Sequence, residues 1–164
     1  MSNPSARKLN NGLNHTPRKR FGQNFLHDQG IIQRIIDEVA PQPGQHLLEI
    51  GPGQGALTGH LAGVGTRLDC IELDRDLAQF LVGRHANDTH VTIHQQDILK
   101  FPIESLEPTP HSLRVIGNLP YNISTPLIFK LLENAAIIGD MHFMLQREVV
   151  TRLAAKPGSK DWGR

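Results

Sequence analysis

Three glycines within five residues suggest a stretch of backbone that approaches a ligand closely. Gly51, Gly53 and Gly55 stand in EIGPGQGALT, after the acidic residue Glu49. Glycine lets the chain turn sharply and come near a ligand where a Cβ atom would clash. The third glycine comes one residue too early for the G-x-G-x-x-G pattern of dinucleotide-binding proteins, which place a pyrophosphate on a helix N-terminus. Gly51 and Gly53 are therefore predicted to contact a cofactor that lacks a pyrophosphate.

Two further acidic residues follow apolar segments. Glu72 stands near the end of RLDCIEL, and its carboxylate is suited to accept hydrogen bonds from a ribose diol. Asp97, in QQDIL, is suited to accept a hydrogen bond from the exocyclic amine of an adenine. The alternative for each acid is that it caps the N-terminus of a helix. A ribose, an adenine and no phosphate together describe S-adenosylmethionine.

The stretch GNLPYNIST, at positions 117–125, also combines unusual residues. A connecting turn explains its glycine, its proline and its asparagines, but a turn has no need of Tyr121. The alternatives are a turn whose tyrosine joins the core and a loop that holds a flat, polar group.

The apolar pattern indicates the elements that position these residues. A helix is predicted from the N-cap Asp28 to the stop at Pro41. Strands are predicted in HLLEI, RLDCIEL, VTIH, LRVIG and MHFML, and helices in ALTGHLAG, DRDLAQFLVGRH, TPLIFKLLEN and REVVTRLAA. The third of these helices is predicted to begin at Pro126, because proline suits the first helical position. This alternation predicts an α/β domain with a mostly parallel sheet, helices on both faces and a ligand site beyond the carboxyl ends of the strands.

Composition limits the class of protein. The 164 residues suffice for one domain, and neither a signal peptide nor a membrane span is evident, so a cytoplasmic protein is expected. Residues 1–20 carry five cations and no acid, which predicts a flexible basic arm that touches nucleic acid or serves as a solubilising tail, ahead of a domain at 21–164. The single cysteine, Cys70, is predicted to be a buried core thiol. The scattered histidines predict no metal site.

Several segments resemble, in order, the bacterial small-subunit ribosomal RNA adenine dimethyltransferases. These segments are RKRFGQNFL, EIGPGQGALT, IELDRDLA, QQDILKF, GNLPYNISTPLIF, MHFMLQREVV and PGSKDWGR. NLPY and PGSK resemble this branch more closely than the related macrolide-resistance enzymes, which act on large-subunit RNA. The resemblance implies a Rossmann-like class I methyltransferase that uses S-adenosylmethionine, releases S-adenosylhomocysteine and needs no metal. It also implies that the substrate is small-subunit ribosomal RNA in an immature subunit, dimethylated on two adjacent adenines near its 3′ end.

The resemblance further assigns roles to individual residues. Asn24 and Leu26 would line the methionyl end of the cofactor, and Gly51 the loop beneath it. Glu72 would bind the ribose, Asp97 the adenine, and Asn118 would lie between cofactor and substrate. Trp162 departs from the family pattern, in which a tyrosine is usual.

The NLPY segment is predicted to activate and position the target adenine amine. An adenine amine is a poor nucleophile because its lone pair is delocalised into the ring. Acceptors for both of its N–H groups would localise that pair: the side-chain oxygen of Asn118 and a backbone carbonyl at Leu119 or Pro120. Tyr121 would supply the face on which the base stacks.

The family has seven strands and a helical RNA-binding domain, whereas this chain shows five strands. The resemblance therefore implies a truncated chain, with an open sheet edge through which it could oligomerise. Two alternatives remain: an RNA-binding assembly factor without activity in this form, and an NAD-dependent oxidoreductase, which has no use for NLPY.

Overall fold

The protein was analysed as a computed structural model that describes residues 26–162. The strands are β1 (His46–Ile50), β2 (Arg67–Glu72), β3 (Val91–Gln95), β4 (Leu113–Asn118) and β5 (Ile138–Met144). The helices are α1 (Gln29–Val39), α2 (Thr58–Ala62), α3 (Arg75–Arg84), α4 (Tyr121–Glu133) and α5 (Arg147–Leu153), with a short 3-10 helix at Ile103–Leu106. Asn24 and the basic arm at 1–20 lie outside the described residues.

The five strands form one parallel sheet in the order β3-β2-β1-β4-β5. From β1 the chain first builds the sheet outward through β2 and β3, and then returns to place β4 on the other side of β1. The order of the strands therefore reverses between β1 and β4. Crevices at such reversals, beyond the carboxyl ends of the strands, are the usual ligand sites of open α/β sheets.

Side chains that alternate along the strands form two apolar clusters, one on each face of the sheet. On β1, Leu48 belongs to the cluster that Leu127 of α4 completes. Its neighbour Leu47 belongs to the other cluster, together with Ile32 of α1 and Leu61 of α2. All five side chains are buried. The predicted parallel sheet with helices on both faces is confirmed.

The start of α4 differs from the prediction. The helix begins at Tyr121, directly after its N-cap Pro120, and Pro126 lies inside it. A proline there has no N–H to donate to the carbonyl of Asn122, four residues earlier, yet Leu127 and Leu131 still bury the face of α4 that packs on the sheet. Because β4 ends at Asn118, the early start leaves two residues between the strand and the helix.

Most of the remaining element bounds agree closely with the sequence pattern, but β5 begins three residues before the predicted segment MHFML, because Ile138 already pairs with Leu113 of β4. Asp28 caps α1, and its side chain accepts a hydrogen bond from the backbone N–H of Ile31 over 3.0 Å. Cys70 is fully buried, as predicted. Within residues 26–162, no helix is both long enough and apolar enough to cross a membrane.

Strand β5 lies at an edge of the sheet, as the predicted open edge requires. Large apolar side chains near this side of the domain are exposed, among them Phe129 and Leu132 of α4 and Val150 and Leu153 of α5. Oligomerisation through this edge stays a prediction.

Candidate active site

A cleft of about 210 Å³ opens beyond the carboxyl ends of β1, β2, β3 and β4. It gathers residues that are far apart in the sequence, because parallel strands end at the same edge of the sheet. Of the site residues predicted from the sequence, those that line it are Leu26, Gly51, Gly53, Glu72, Asp97, Asn118, Leu119 and Pro120. Tyr121 does not line the cleft, and Asn24 lies outside the described residues.

The glycine segment forms the loop that leaves β1. Gly51 and Gly53 have φ angles of 65° and 59°, in the left-handed region that strains residues with a Cβ atom. The Gly51 N–H donates to the carbonyl of Ile71 over 2.9 Å, which ties the start of the loop to β2. A Cβ atom at Gly51 would meet no heavy atom within 4 Å. Backbone conformation, rather than crowding by the protein, therefore favours glycine at this position.

Glu72 connects this loop to the end of β2. Its Oε2 atom accepts a hydrogen bond from the Gly53 N–H over 3.0 Å, and Oε1 accepts one from the Asp74 N–H over 2.9 Å. The side chain is only 5% exposed, and burial raises the pKa of its carboxyl. The N-cap of α3 is Asp74, so the alternative that Glu72 caps this helix is wrong. Glu72 orders the loop at the wall of the cleft.

Asp97 follows β3 and faces the same cleft. Its Oδ1 atom accepts a hydrogen bond from the Leu99 N–H over 2.9 Å, which closes the turn that follows. Asp97 therefore has a local capping role, although it caps a turn rather than an α-helix. Because a carboxylate has two oxygens with several lone pairs, this role is compatible with binding a ligand.

Several lining residues were not predicted from the sequence. Gln96 and Ile98 flank Asp97, and Leu73 follows Glu72 with 48% of its side chain exposed. Asn122 and Ile123, in the first turn of α4, line the side of the cleft near Asn118. Their residue types do not mark them as site residues, although Gln96, Ile98 and Leu73 each adjoin a predicted acid.

The NLPY segment is held at both of its ends. The Leu119 N–H donates to the carbonyl of Met144 over 3.1 Å, which attaches the segment to β5. The Pro120 carbonyl accepts from the Ile123 N–H over 3.3 Å, within the first turn of α4. Of the two carbonyls predicted to bind the target amine, the one of Pro120 is thus already used by the helix. The tight path between β4 and α4 orients this short segment toward the cleft.

Tyr121 begins α4 with 52% of its side chain exposed. The alternative of a core tyrosine is therefore wrong. The Ser124 hydroxyl donates to the Tyr121 carbonyl over 2.9 Å, which strengthens the start of the helix. Stacking of a base on its ring stays a prediction.

The lining of the cleft is acidic. It includes Glu49, Glu72 and Asp97, and no lysine, arginine or histidine stands among its lining residues in the described part of the chain. Such a cleft suits a cationic ligand and disfavours a phosphate, because nothing in the lining neutralises phosphate charge. Among residues 26–162, no group of three His, Cys, Asp or Glu side chains is arranged to hold a metal ion.

Comparison with known families and curated proteins places these features in context. Residues 14–164 match the model of the family described as ribosomal RNA adenine dimethylase. The chain is 60% identical over 150 residues to ribosomal RNA small subunit methyltransferase A of Pseudomonas savastanoi pv. phaseolicola. The match covers 92% of this chain and 56% of that relative, so the chain spans little more than half of its length.

Solved structures show the same architecture. A dimethyladenosine transferase from Plasmodium falciparum superposes with a TM-score of 0.74 at 26% identity, covering 85% of this chain and 49% of that one. A 23S ribosomal RNA methyltransferase superposes with a TM-score of 0.64 at 29% identity, covering 76% of this chain and 50% of that one. The predicted Rossmann-like methyltransferase fold is confirmed.

Proposed function

This chain belongs to the ribosomal RNA adenine dimethylase family, and we propose that it provides the cofactor site and catalytic loop of a small-subunit ribosomal RNA adenine dimethyltransferase. The enzyme transfers methyl groups from S-adenosylmethionine to the exocyclic amines of two adjacent adenines near the 3′ end of the RNA. One observation carries the proposal: a single cleft, with no cationic side chain among the lining residues that the structure describes, joins the glycine loop, Glu72, Asp97 and the NLPY segment.

The described residues fit S-adenosylmethionine by their chemistry. Glu72 accepts the ribose hydroxyls beside a loop whose glycines allow close approach, and Asp97 accepts the adenine amine. Leu73 and Ile98 offer apolar surface to the faces of the adenine ring. Leu26 lines the same cleft, and we assign it with Asn24 to the methionyl end. When bound, the cofactor supplies a sulfonium methyl group, and S-adenosylhomocysteine is the product.

The target adenine binds where the NLPY segment meets the cleft. The side-chain oxygen of Asn118 accepts one N–H of the amine, and the Leu119 carbonyl accepts the other. The Leu119 carbonyl is favoured over that of Pro120, because the helix already uses the latter. These two acceptors aim the lone pair of the nitrogen at the methyl group. The amine loses its proton after the transfer, so no strong general base is required.

Tyr121→Ala is expected to reduce methyl transfer by about 5- to 150-fold, because base stacking on an aromatic ring contributes roughly 1–3 kcal/mol. Cofactor affinity should stay nearly unchanged, since Tyr121 lies outside the cleft lining. Tyr121→Phe keeps the ring face and should be mild. Transfer is measured on undermethylated small subunits with the chain extended to the length of its relatives. Equal damage by both variants would show that the hydroxyl matters and that stacking is the wrong account.

The RNA partner is proposed to contact the basic arm. Replacing Arg18, Lys19 and Arg20 together with glutamine should weaken binding of small-subunit RNA. The salt dependence of log K should become shallower by up to roughly 0.7–0.9 for each lost phosphate contact. Binding is measured by filter retention across a salt series, with Lys100→Gln as a single-cation control. An unaltered salt dependence of log K would show that the arm does not contact phosphates and serves only as a solubilising tail.

A second candidate is a ribosomal RNA-binding assembly factor that does not transfer methyl groups. Incubation with labelled S-adenosylmethionine and undermethylated small subunits separates the two. Label in adenines of the RNA supports the methyltransferase, and RNA binding without label or cofactor binding supports the assembly factor. Either role places the protein with immature subunits in the cytoplasm. Binding of NAD would contradict both, and the lining residues within 26–162 disfavour it because none of them is a cation that could neutralise a pyrophosphate.

A further inference from the structure

Glu49 is a buried acid at the cofactor cleft that the proposed function does not use. It lies in β1, two residues before Gly51, and its side chain is 2% exposed while still lining the cleft. Carboxylates are rarely buried unless they are paired with a cation. None of the ion pairs among residues 26–162 involves Glu49. Its charge therefore has no compensating partner within the described protein.

Burial and a neighbouring carboxylate oppose the ionisation of Glu49, and two side chains beside it act in the opposite direction. The Cys70 thiol of β2 donates to Oε2 of Glu49 over 3.7 Å, and the buried side chain of Thr58 approaches from α2. Glu72, also on β2, adds a second carboxylate, whereas the β4 neighbour Ile116 is apolar. Burial raises the pKa of Glu49 to about 7; Thr58 and Cys70 offset part of this rise, and the charge of Glu72 adds to it.

The thiol beside Glu49 is not a competing acid at neutral pH. Burial and the adjacent Glu49 raise the pKa of Cys70 well above its ordinary value. Cys70 therefore stays a neutral donor. Asp97, which follows β3, is a third carboxylate in the lining of the cleft. Among the described lining residues, the charged ones are all acidic, and the field of a cation that enters the cleft favours the ionised form of each of them.

We propose that Glu49 couples binding of the cationic cofactor to release of a proton: about half of the Glu49 side chains are protonated in the free protein at pH 7, and Glu49 is ionised when S-adenosylmethionine is bound. The inference rests on the proposed function, because it takes that cofactor as the ligand.

S-Adenosylmethionine carries one positive charge more than S-adenosylhomocysteine. Methyl transfer breaks the carbon–sulfur bond and removes the sulfonium charge, so Glu49 regains a proton from solvent and the product is held less tightly. Glu49 is thus a positioning and specificity residue that favours the charged donor over its neutral product.

Isothermal titration calorimetry with S-adenosylmethionine tests the coupling on the wild-type chain. Parallel titrations at pH 7 in phosphate and imidazole buffers give the number of protons exchanged from the dependence of the heat on buffer ionisation. Release of about half a proton is expected, since a group with a pKa of about 7 is half protonated there. The Kd should fall about eightfold between pH 6 and pH 7.5. Buffer-independent heats together with a pH-independent Kd would overturn the proposal.

The Glu49→Gln variant tests whether Glu49 is the group that releases the proton. Glutamine resembles the protonated carboxyl in size and neutrality, so the variant should fold but bind S-adenosylmethionine more weakly than the wild type. Its Kd should not depend on the state of residue 49, so its deficit relative to the wild type should grow about eightfold from pH 6 to pH 7.5, and binding should release no proton. Glu133→Gln, at an exposed glutamate in the last turn of α4, is the matched control and should keep the wild-type pH dependence.

The outcomes separate this inference from the proposed function. Binding of S-adenosylmethionine by the wild type with a proton release that persists in Glu49→Gln would overturn the role of Glu49 and leave the methyltransferase proposal standing. Failure of the wild type to bind S-adenosylmethionine at any pH between 6 and 7.5 would instead overturn the proposed function, and this inference with it.

Discussion

Asn118→Ala is expected to reduce methyl transfer by at least about 100-fold, the scale on which removal of one preorganised polar group usually acts in an active site. The amide oxygen lies where β4 ends at the cleft and accepts an N–H of the target amine in the proposed geometry. Without it the lone pair stays delocalised in the ring and the amine is free to rotate. Cofactor affinity should fall by a smaller factor, about tenfold at most, because Glu72 and Asp97 remain.

Mass spectrometry of digested RNA measures this result by counting monomethylated and dimethylated adenines. The assay uses the chain extended to the length of its curated relatives, because the chain alone spans 56% of one of them. Asn87→Ala, at an exposed asparagine in the turn after α3, is the matched control and should be silent. Normal methylation by a folded Asn118→Ala protein would reduce the NLPY segment to a connector.

Glu72→Ala is expected to weaken binding of S-adenosylmethionine by about 10- to 150-fold, since a hydrogen bond to a charged group contributes roughly 1.5–3 kcal/mol. The structure adds a second reason. The same carboxylate accepts from the Gly53 and Asp74 N–H groups, so its removal also loosens the glycine loop, which then keeps only the Gly51–Ile71 backbone bond to β2 among the bonds described above. Glu72→Gln keeps one acceptor oxygen and the size of the side chain, and should lose less affinity than Glu72→Ala.

Calorimetric titration of each Glu72 variant gives the affinity, and circular dichroism checks that the fold is kept. Glu104→Ala, at an exposed glutamate of the 3-10 helix, is the matched control and should bind like the wild type. An unchanged Kd in a folded Glu72→Ala protein would remove Glu72 from the cofactor site and with it the ribose assignment.

Local pattern was sufficient for most elements of the fold. The apolar run HLLEI predicts β1 at the residues where it occurs, and Asp28 marks the start of α1. Such features act over a few residues, so they can be read without knowing the fold. The start of α4 could not be predicted in this way, because a proline suggests a first turn. The packing of Leu127 and Leu131 on the sheet outweighed that preference and placed Pro126 inside the helix.

Most of the candidate site could be predicted because its residues follow the strands of one parallel sheet. Gly51, Glu72, Asp97 and Asn118 each follow or end a strand, and the topology brings all four to one cleft. Gln96 and Asn122 line the cleft because of where the tertiary structure places the end of β3 and the first turn of α4. Nothing in their local sequence distinguishes them from ordinary surface residues.

The sequence by itself determined the class of this protein: the alternation of strands and helices, the glycine segment, the spacing of the acids and the NLPY segment all depend on local residue types. Only the tertiary structure decided how these residues act on one another. It attached Glu72 to the backbone of Gly53, assigned the Pro120 carbonyl to α4 and exposed the ring of Tyr121. It also enclosed Glu49 beside Cys70 and Glu72, and no residue within 26–162 forms an ion pair with it. Burial and the distance between charges depend on the packing of distant segments, and these quantities determine whether a carboxyl is ionised.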